Sequence, residues 1–463
     1  MVPSTSGHVR PPQRPSPAGS AVSPARACAL AVIRRVFEQG AWADRALPGE
    51  AAGLEARERA LATRLAYGTI QRRDTLDHVI VALSGRAIGA LDPPVLAVLR
   101  LGLYQLLLCD GIAAHAAVHE SVEQAKAGRR GPSGLVNAVL RRAVTEGPLL
   151  LEALDDTTCE GAALRHSLPR WLAGMWWEAF GPTQARTLMA RVNEPAEMAL
   201  RVNRLLTTPG ELAGALPVGT RGVTMPPEAL VCEGAFDAHG SSFWREGAFM
   251  PQSRASMLVA HALAPVAGER ILDLCSAPGA KTTHIAALMG DQGHILSIER
   301  HRGRARALRR TCERMRVTCV TVAEADARRP PTAGESFDRV LVDPPCSGLG
   351  TLQSRPDLRW RASPQAIGEL AAQQAEILDA AAAAVRPGGL LVYSTCTLSP
   401  RENELTLERF GARHPDFEPA PAPSDLAAWE DPCVPGRLLV LPHRHHTDGF
   451  FIARLHRRAG SAR

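Results

Sequence analysis

Two cysteines carry the strongest chemical signal in the chain. Cys346 sits in Asp343-Pro344-Pro345-Cys346-Ser347-Gly348 and Cys396 in Ser394-Thr395-Cys396-Thr397, each directly after a short apolar run. A thiolate is a strong nucleophile and a good leaving group, so a cysteine can bond to a substrate and leave it again. The free thiol titrates at about pH 8.5, so a working nucleophile needs surroundings that lower its pKa. One cysteine alone reads more readily as a small buried hydrophobe. Two at the ends of adjacent strands, beside a ligand-binding turn, read as a catalytic pair.

The elements that must deliver them begin at about residue 265, where strand, loop and helix alternate. Ile271 to Leu274 is an apolar strand running into Cys275-Ser276-Ala277-Pro278-Gly279-Ala280-Lys281, and Thr282 to Met289 reads as a helix. Small residues at such a turn let a ligand approach the backbone, and the helix N-terminus offers amides to an anion. Three further strands, His294 to Ile298, Val317 to Ala323 and Arg339 to Val342, lead into Glu299, Asp326 and Asp343. Arg304 to Met315 reads as an intervening helix. Ser363-Pro364 is a cap and first-turn proline for a long alanine-rich helix, which Pro387-Gly388-Gly389 ends before a fifth strand, Leu390 to Tyr393. This alternation predicts a doubly wound α/β sheet with its ligand at the carboxyl ends of the strands, where an acid after the second strand suits a ribose diol. The turn is neither GxGxxG nor GxxxxGK[ST], which weighs against a dinucleotide and a nucleoside triphosphate. The pattern by itself stops at a nucleotide-like cofactor. Leu438 to Leu441 and Phe450 to Leu455 are expected to complete the sheet as an antiparallel pair.

Upstream the period is different. Residues 1–24 are rich in Pro, Ser, Gly and Arg and read as a disordered arm. Residues 25–150 carry helical spacing, as in Leu30, Ile33, Val36 and Phe37 or Val95, Val98, Leu99, Gly102, Leu103 and Leu106, with breakers at Leu91-Asp92-Pro93-Pro94 and Gly131-Pro132-Ser133-Gly134. Residues 151–240 read as a small α/β linking subdomain, and 241–463 as the catalytic domain. Of the formal +6 charge, the whole excess lies before residue 151, with 18 basic against 12 acidic residues, which suits a phosphate backbone but equally plain solubility. The ten cysteines form no CxxC pair and read as free thiols of a cytosolic protein, and no apolar run approaches a membrane span. His443, His445 and His446 lack a spaced partner, so no metal is expected.

The helical region resembles the RNA-binding domain of the antitermination factor NusB, through Ala66-Tyr67-Gly68-Thr69-Ile70, Leu99 to Gln105, Ala117 to Val122 and Val136 to Arg142. Leu200-Arg201-Val202-Asn203, Ile271 to His284, Phe337 to Thr351, Arg355-Pro356-Asp357-Leu358-Arg359-Trp360, Tyr393 to Thr397 and Glu402-Asn403-Glu404 resemble successive motifs of the bacterial RNA cytosine-5 methyltransferases. The resemblance implies a Rossmann-like class I methyltransferase domain behind an all-α NusB-like domain. Its cofactor would be S-adenosyl-L-methionine, held by Cys275, Ser276, Ala277, Pro278, Gly279, Ala280, Lys281, Glu299, Asp326 and Asp343. Its substrate would be 16S ribosomal RNA, met by a monomer before the subunit is fully assembled. In that family the STCT cysteine is the nucleophile, hence Cys396, and the PPC cysteine assists product release, hence Cys346. Asp343 would also contact the base, and Lys281 would hold the active loop. Cytosine C5 is too weak a nucleophile to take a methyl group from a sulfonium, so a thiolate must first add at C6. The same chemistry on transfer RNA or another ribosomal position, and a non-catalytic assembly factor keeping the fold, stay open. Three positions depart from the family pattern. Ala280 replaces a second glycine, which a right-handed backbone tolerates and a positive φ would strain. Ser253 and Arg254 follow Gln252 where a Gln-Asp pair is usual, and Glu299 replaces an Asp.

Overall fold

The computed structural model describes residues 22–127, 133–332, 334–431 and 434–459. The arm expected over 1–24 lies outside them up to residue 21, as do Gly131 and Pro132 of the second breaker.

Helices Pro24–Gln39, Ala43–Glu50, Ala56–Gln71, Arg73–Ser84, Pro93–Leu107, Ala114–Lys126 and Ser133–Glu152 form the first unit. Pro93–Leu107 is its axis: proline opens it, and every residue from Val95 to Gln105 is buried. Two glycines set how closely its neighbours approach. A side-chain carbon on Gly68 would meet the Tyr104 ring at 2.0 Å, and one on Gly102 would meet Leu140 at 2.8 Å. The stretches that look like NusB are therefore the surfaces by which these helices interlock.

Helices Cys159–His166 and Arg170–Arg191, the latter broken by non-helical Gly181 ahead of Pro182, lead into a small antiparallel sheet. Its strands are β1 (Ala199–Val202), β2 (Thr220–Gly222), β3 (Ala229–Cys232) and β4 (Phe249–Pro251), in the order β2-β3-β1-β4. Strand β4, which follows residue 240, pairs with β1.

The third unit contains β5 (Arg270–Leu274), β6 (His294–Glu299), β7 (Val320–Glu324), β8 (Phe337–Val342), β9 (Val385–Thr395), β10 (Phe417–Pro419), β11 (Arg437–Val440) and β12 (Phe450–Arg457). The sheet order is β10-β12-β9-β8-β5-β6-β7, with β11 on β12. Strands β5 to β9 are parallel, and β12 joins β9 antiparallel. The chain winds outward from β5 in one direction through β6 and β7, then restarts at β8 on the other side, so the ligand crevice opens above β5 and β8. Helix Pro364–Ala384 starts as expected, with Ser363 Oγ accepting from Ala366 N at 3.2 Å. Its end differs in detail. Pro387-Gly388-Gly389 does not stop the helix but bulges inside β9, whose register on β8 jumps from Val385 to Leu390, with Gly388 at φ 75°.

Candidate active site

The two cysteines meet. Strand β8 ends at Val342 and β9 at Thr395, and the loops beyond them bring Cys346 Sγ to 3.3 Å from Cys396 Sγ. The pair is asymmetric. Hydrogen bonding from Cys346 lowers the Cys396 pKa, with Lys281 and Arg355 pulling the same way against burial and Asp343. Cys346 is driven well up by the same bond and by burial. Of the two thiols, Cys396 is therefore the one that gives up its proton more readily.

The loops are locked by a buried carboxylate. Glu402 accepts from Ser347 N at 2.8 Å, Ser347 Oγ at 2.5 Å and Gln374 Nε2 at 3.1 Å, while Ser347 Oγ lies 2.7 Å from Thr397 Oγ1. Ser347 and Thr397 are the residues next to the two cysteines, so one side chain fixes both thiols. Asn403 repeats the device, accepting from Thr395 Oγ1 at 2.6 Å and donating to the Thr397 carbonyl at 3.0 Å.

Lys281 Nζ donates to Asp343 Oδ2 at 2.7 Å, and Asp343 Oδ1 accepts from Ser394 Oγ at 2.9 Å. Burial alone would lower the Lys281 pKa, but the ion pair outweighs it and leaves the ammonium firmly charged. Lys281 thus joins the turn after β5 to both cysteine-bearing loops. Beneath it Asp273 is fully buried, accepts from Thr282 Oγ1 at 2.5 Å, and is pushed up by burial to about 7.

A narrow cavity beside this centre is lined by Cys275, Glu299, Asp326, Arg304 and Ile377. Of the residues expected at the cofactor, Ser276, Ala277, Pro278, Gly279 and Ala280 form the adjoining turn without lining the cavity. Cys275 is no third nucleophile, since burial first, then Asp343, Asp273 and Glu299, raises it to about 12. Glu299 accepts from His301 N at 2.8 Å and sits 3.3 Å from Arg304, whose side chain is half exposed. Asp326 is held by Arg328 at 2.6 Å, which depresses it to about 2. The donor set suits a nucleoside carrying hydroxyl and amino groups.

The departures resolve locally. Ala280 is the first residue of helix Ala280–Leu288 and has a right-handed backbone; the positive φ, 105°, falls on Gly279 instead. Ser253 caps helix Arg254–Leu263, a position Asp would serve as well. Arg254 pairs with Glu197 at 2.8 Å and donates to the His445 and His446 carbonyls, so the histidine-rich segment is tied to this helix.

The sequence matches the 16S rRNA methyltransferase RsmB/F family over residues 260–456, the NusB family over 23–145, and the RsmF/B-like ferredoxin-like domain over 168–237. A Synechocystis protein named probable ribosomal RNA small subunit methyltransferase B is 38% identical over 93% of this chain and 99% of its own. The chain belongs to the RsmB/F family of rRNA methyltransferases. The Vibrio cholerae ribosomal RNA small subunit methyltransferase B is 34% identical over 92% of this chain and 96% of its own. The crystal structure of PH0851 superposes with a TM-score of 0.75 at 28% identity, covering 94% of this chain and 99% of that one. NSun6 from Pyrococcus horikoshii, crystallised with SFG, shares the fold at 24% identity and a TM-score of 0.56, over 62% of this chain and 98% of its own. The all-helical, ferredoxin-like and Rossmann-like units are thus those of a SAM-dependent methyltransferase family.

Two family motifs turn out to fasten units together, which residue types alone did not reveal. Arg201 of the LRVN segment is buried and donates to Gln252 Oε1 and Thr283 Oγ1, both at 2.7 Å, and to the Ala280 carbonyl. Arg359, fully buried, donates to the Gln71, Ser167 and Val192 carbonyls and to Asn193 Oδ1, while Trp360 Nε1 donates to the Ile70 carbonyl at 2.7 Å. A third fastening has no sequence signature. Glu228, at the foot of β3, receives His261 Nε2 at 3.0 Å and lies 2.6 Å from His284 Nε2, joining the middle sheet to two helices of the catalytic unit.

Proposed function

We propose that this chain transfers a methyl group from S-adenosylmethionine to carbon 5 of a cytosine in 16S ribosomal RNA through a covalent bond to Cys396. The observation that carries the reading is the thiol pair at 3.3 Å with opposite pKa shifts. A scaffold has no use for such a pair.

The target cytosine leaves its stack, because carbons 5 and 6 are covered in a helix. Cys396 enters as thiolate and adds to carbon 6, which makes carbon 5 nucleophilic. S-adenosylmethionine supplies an electrophilic methyl group. Loss of the carbon 5 proton to solvent water, with expulsion of Cys396 as thiolate, then restores the aromatic ring. Cys346, whose pKa the bond to Cys396 and burial drive up, stays out of the addition and acts in this release. Asp343, aligned by Lys281 and Ser394, would contact the base, and Glu299 and Asp326 would hold the cofactor's hydroxyl and amino groups. RNA is engaged by the NusB-like unit, and the chain works as a monomer before subunit assembly is complete. No helix among the described residues is long and apolar enough to cross a membrane, in keeping with a cytoplasmic substrate.

Labelled-cofactor assays on unmodified 16S RNA test this. Cys396→Ala should lose methyl transfer entirely; a variant as active as the parent chain would end the proposal.

A further inference from the structure

A cavity of about 770 Å³ lies where the three units meet. Tyr67, Tyr104, Arg59 and Arg64 of the first unit, Phe236 of the middle unit and Gln353 of the catalytic unit contribute to its wall. We infer that it takes one unstacked nucleotide of the single-stranded RNA flanking the target cytosine, an inference that rests on the functional reading above.

Its size falls in the range of small-molecule pockets, roughly 300–1000 Å³. Its lining is largely apolar with three aromatic rings, and bases stack on aromatic faces whatever their identity. Its two arginines offer cations to a phosphate, since neither is fully neutralised by a buried carboxylate. Arg59 is 3.3 Å from a half-buried Asp237 and donates to the Leu54 carbonyl at 3.5 Å, and Arg64 donates to the Asp110 carbonyl at 3.3 Å and hydrogen-bonds Tyr104. One residue, Arg355, stands between it and the thiol centre. Ser354, in its wall, precedes Arg355, whose half-exposed guanidinium lies close enough to both the Tyr67 hydroxyl and the Cys396 thiol to bias their ionisation. A strand with its cytosine over Cys396 therefore passes Arg355 and meets this cavity within a short run of nucleotides. The same interlock of Gly68 and Tyr104 that holds the helices together keeps one ring of the lining rigid.

The test uses the full chain and an unmodified 16S-derived RNA containing the target cytosine. Tyr67→Ala should raise the KM for RNA about ten-fold, leaving the KM for S-adenosylmethionine and kcat within two-fold, and Tyr67→Phe should restore the parent value. Ala60→Trp, at an exposed helix position that also lines the cavity, should block entry to the same extent without disturbing the core. 4-Thiouridine placed one to three positions from the cytosine should crosslink to peptides from 56–71 or 235–239. Unchanged KM for RNA in both Tyr67→Ala and Ala60→Trp, or crosslinks only to other peptides, overturns the inference. Crosslinking repeated with Cys396→Ala needs no turnover, so it reads the cavity even if the parent chain methylates nothing, an outcome that would count against the functional reading instead.

Discussion

At the scale of single residues, the chemistry turns on which of two touching thiols is ionised. The hydrogen bond from Cys346 is the first cause of the lowered Cys396 pKa, so its removal should be felt directly. Alkylation of Cys396 by iodoacetamide, followed peptide by peptide against pH, should show a midpoint below that of an ordinary thiol. In Cys346→Ala the midpoint should move up, and in Cys346→Ser, which keeps a donor, it should move less. An unmoved midpoint in Cys346→Ala would remove the asymmetry on which the assignment stands. Both cysteines and the Lys281–Asp343 neighbourhood were legible in the sequence because their motifs end strands, and strand ends converge in a doubly wound sheet. Glu402 was legible only as part of a motif. That one carboxylate braces both loops depends on a fold that brings it within hydrogen-bond reach of Ser347.

At the scale of elements, helix Ala280–Leu288 is the hub, carrying Lys281 to the active loop, Thr283 to Arg201 and His284 to Glu228. Burial holds the His284 imidazole down to about 4, while in the unfolded chain it titrates at about 6.5. Between those values the unfolded chain takes up a proton that the folded one refuses. Stability from this group is therefore full above about pH 6.5 and falls as pH drops towards 4. Melting temperature should decline over that interval, and His284→Gln should flatten part of the decline; equal slopes in both proteins would contradict the assignment. The strands and helices were readable from their periods, but this cluster was not. Glu228, His261 and His284 sit on three separate elements, and nothing in their local spacing links them. The Pro-Gly-Gly bulge was misplaced for a related reason, since a helix stop and a strand bulge use the same residues.

At the scale of the whole molecule, the three units are pinned around the catalytic cleft by buried arginines. Arg359 reaches backbone carbonyls of the helical and middle units from a short helix, Leu358–Arg361, of the catalytic one. Arg359→Ala would leave those buried acceptors unmet, at a cost of about 3 kcal/mol. The melting temperature should fall by several degrees, and Arg359→Lys should not recover it, because an ammonium cannot span the same fork of acceptors. A melting temperature equal to that of the parent chain would contradict this pinning role. The order of three units was visible in the change from helical to strand-and-helix periods. Their docking was not, since the arginines look like surface charge until the fold buries them. The cleft so formed exists, on this reading, to hold RNA on one sulfur. Incubating Cys346→Ala with RNA and S-adenosylmethionine, digesting the product and mapping it by mass spectrometry tests that most directly. A methylated cytidine attached to the peptide containing Cys396 is predicted; attachment to another residue, or no adduct at all, would contradict it.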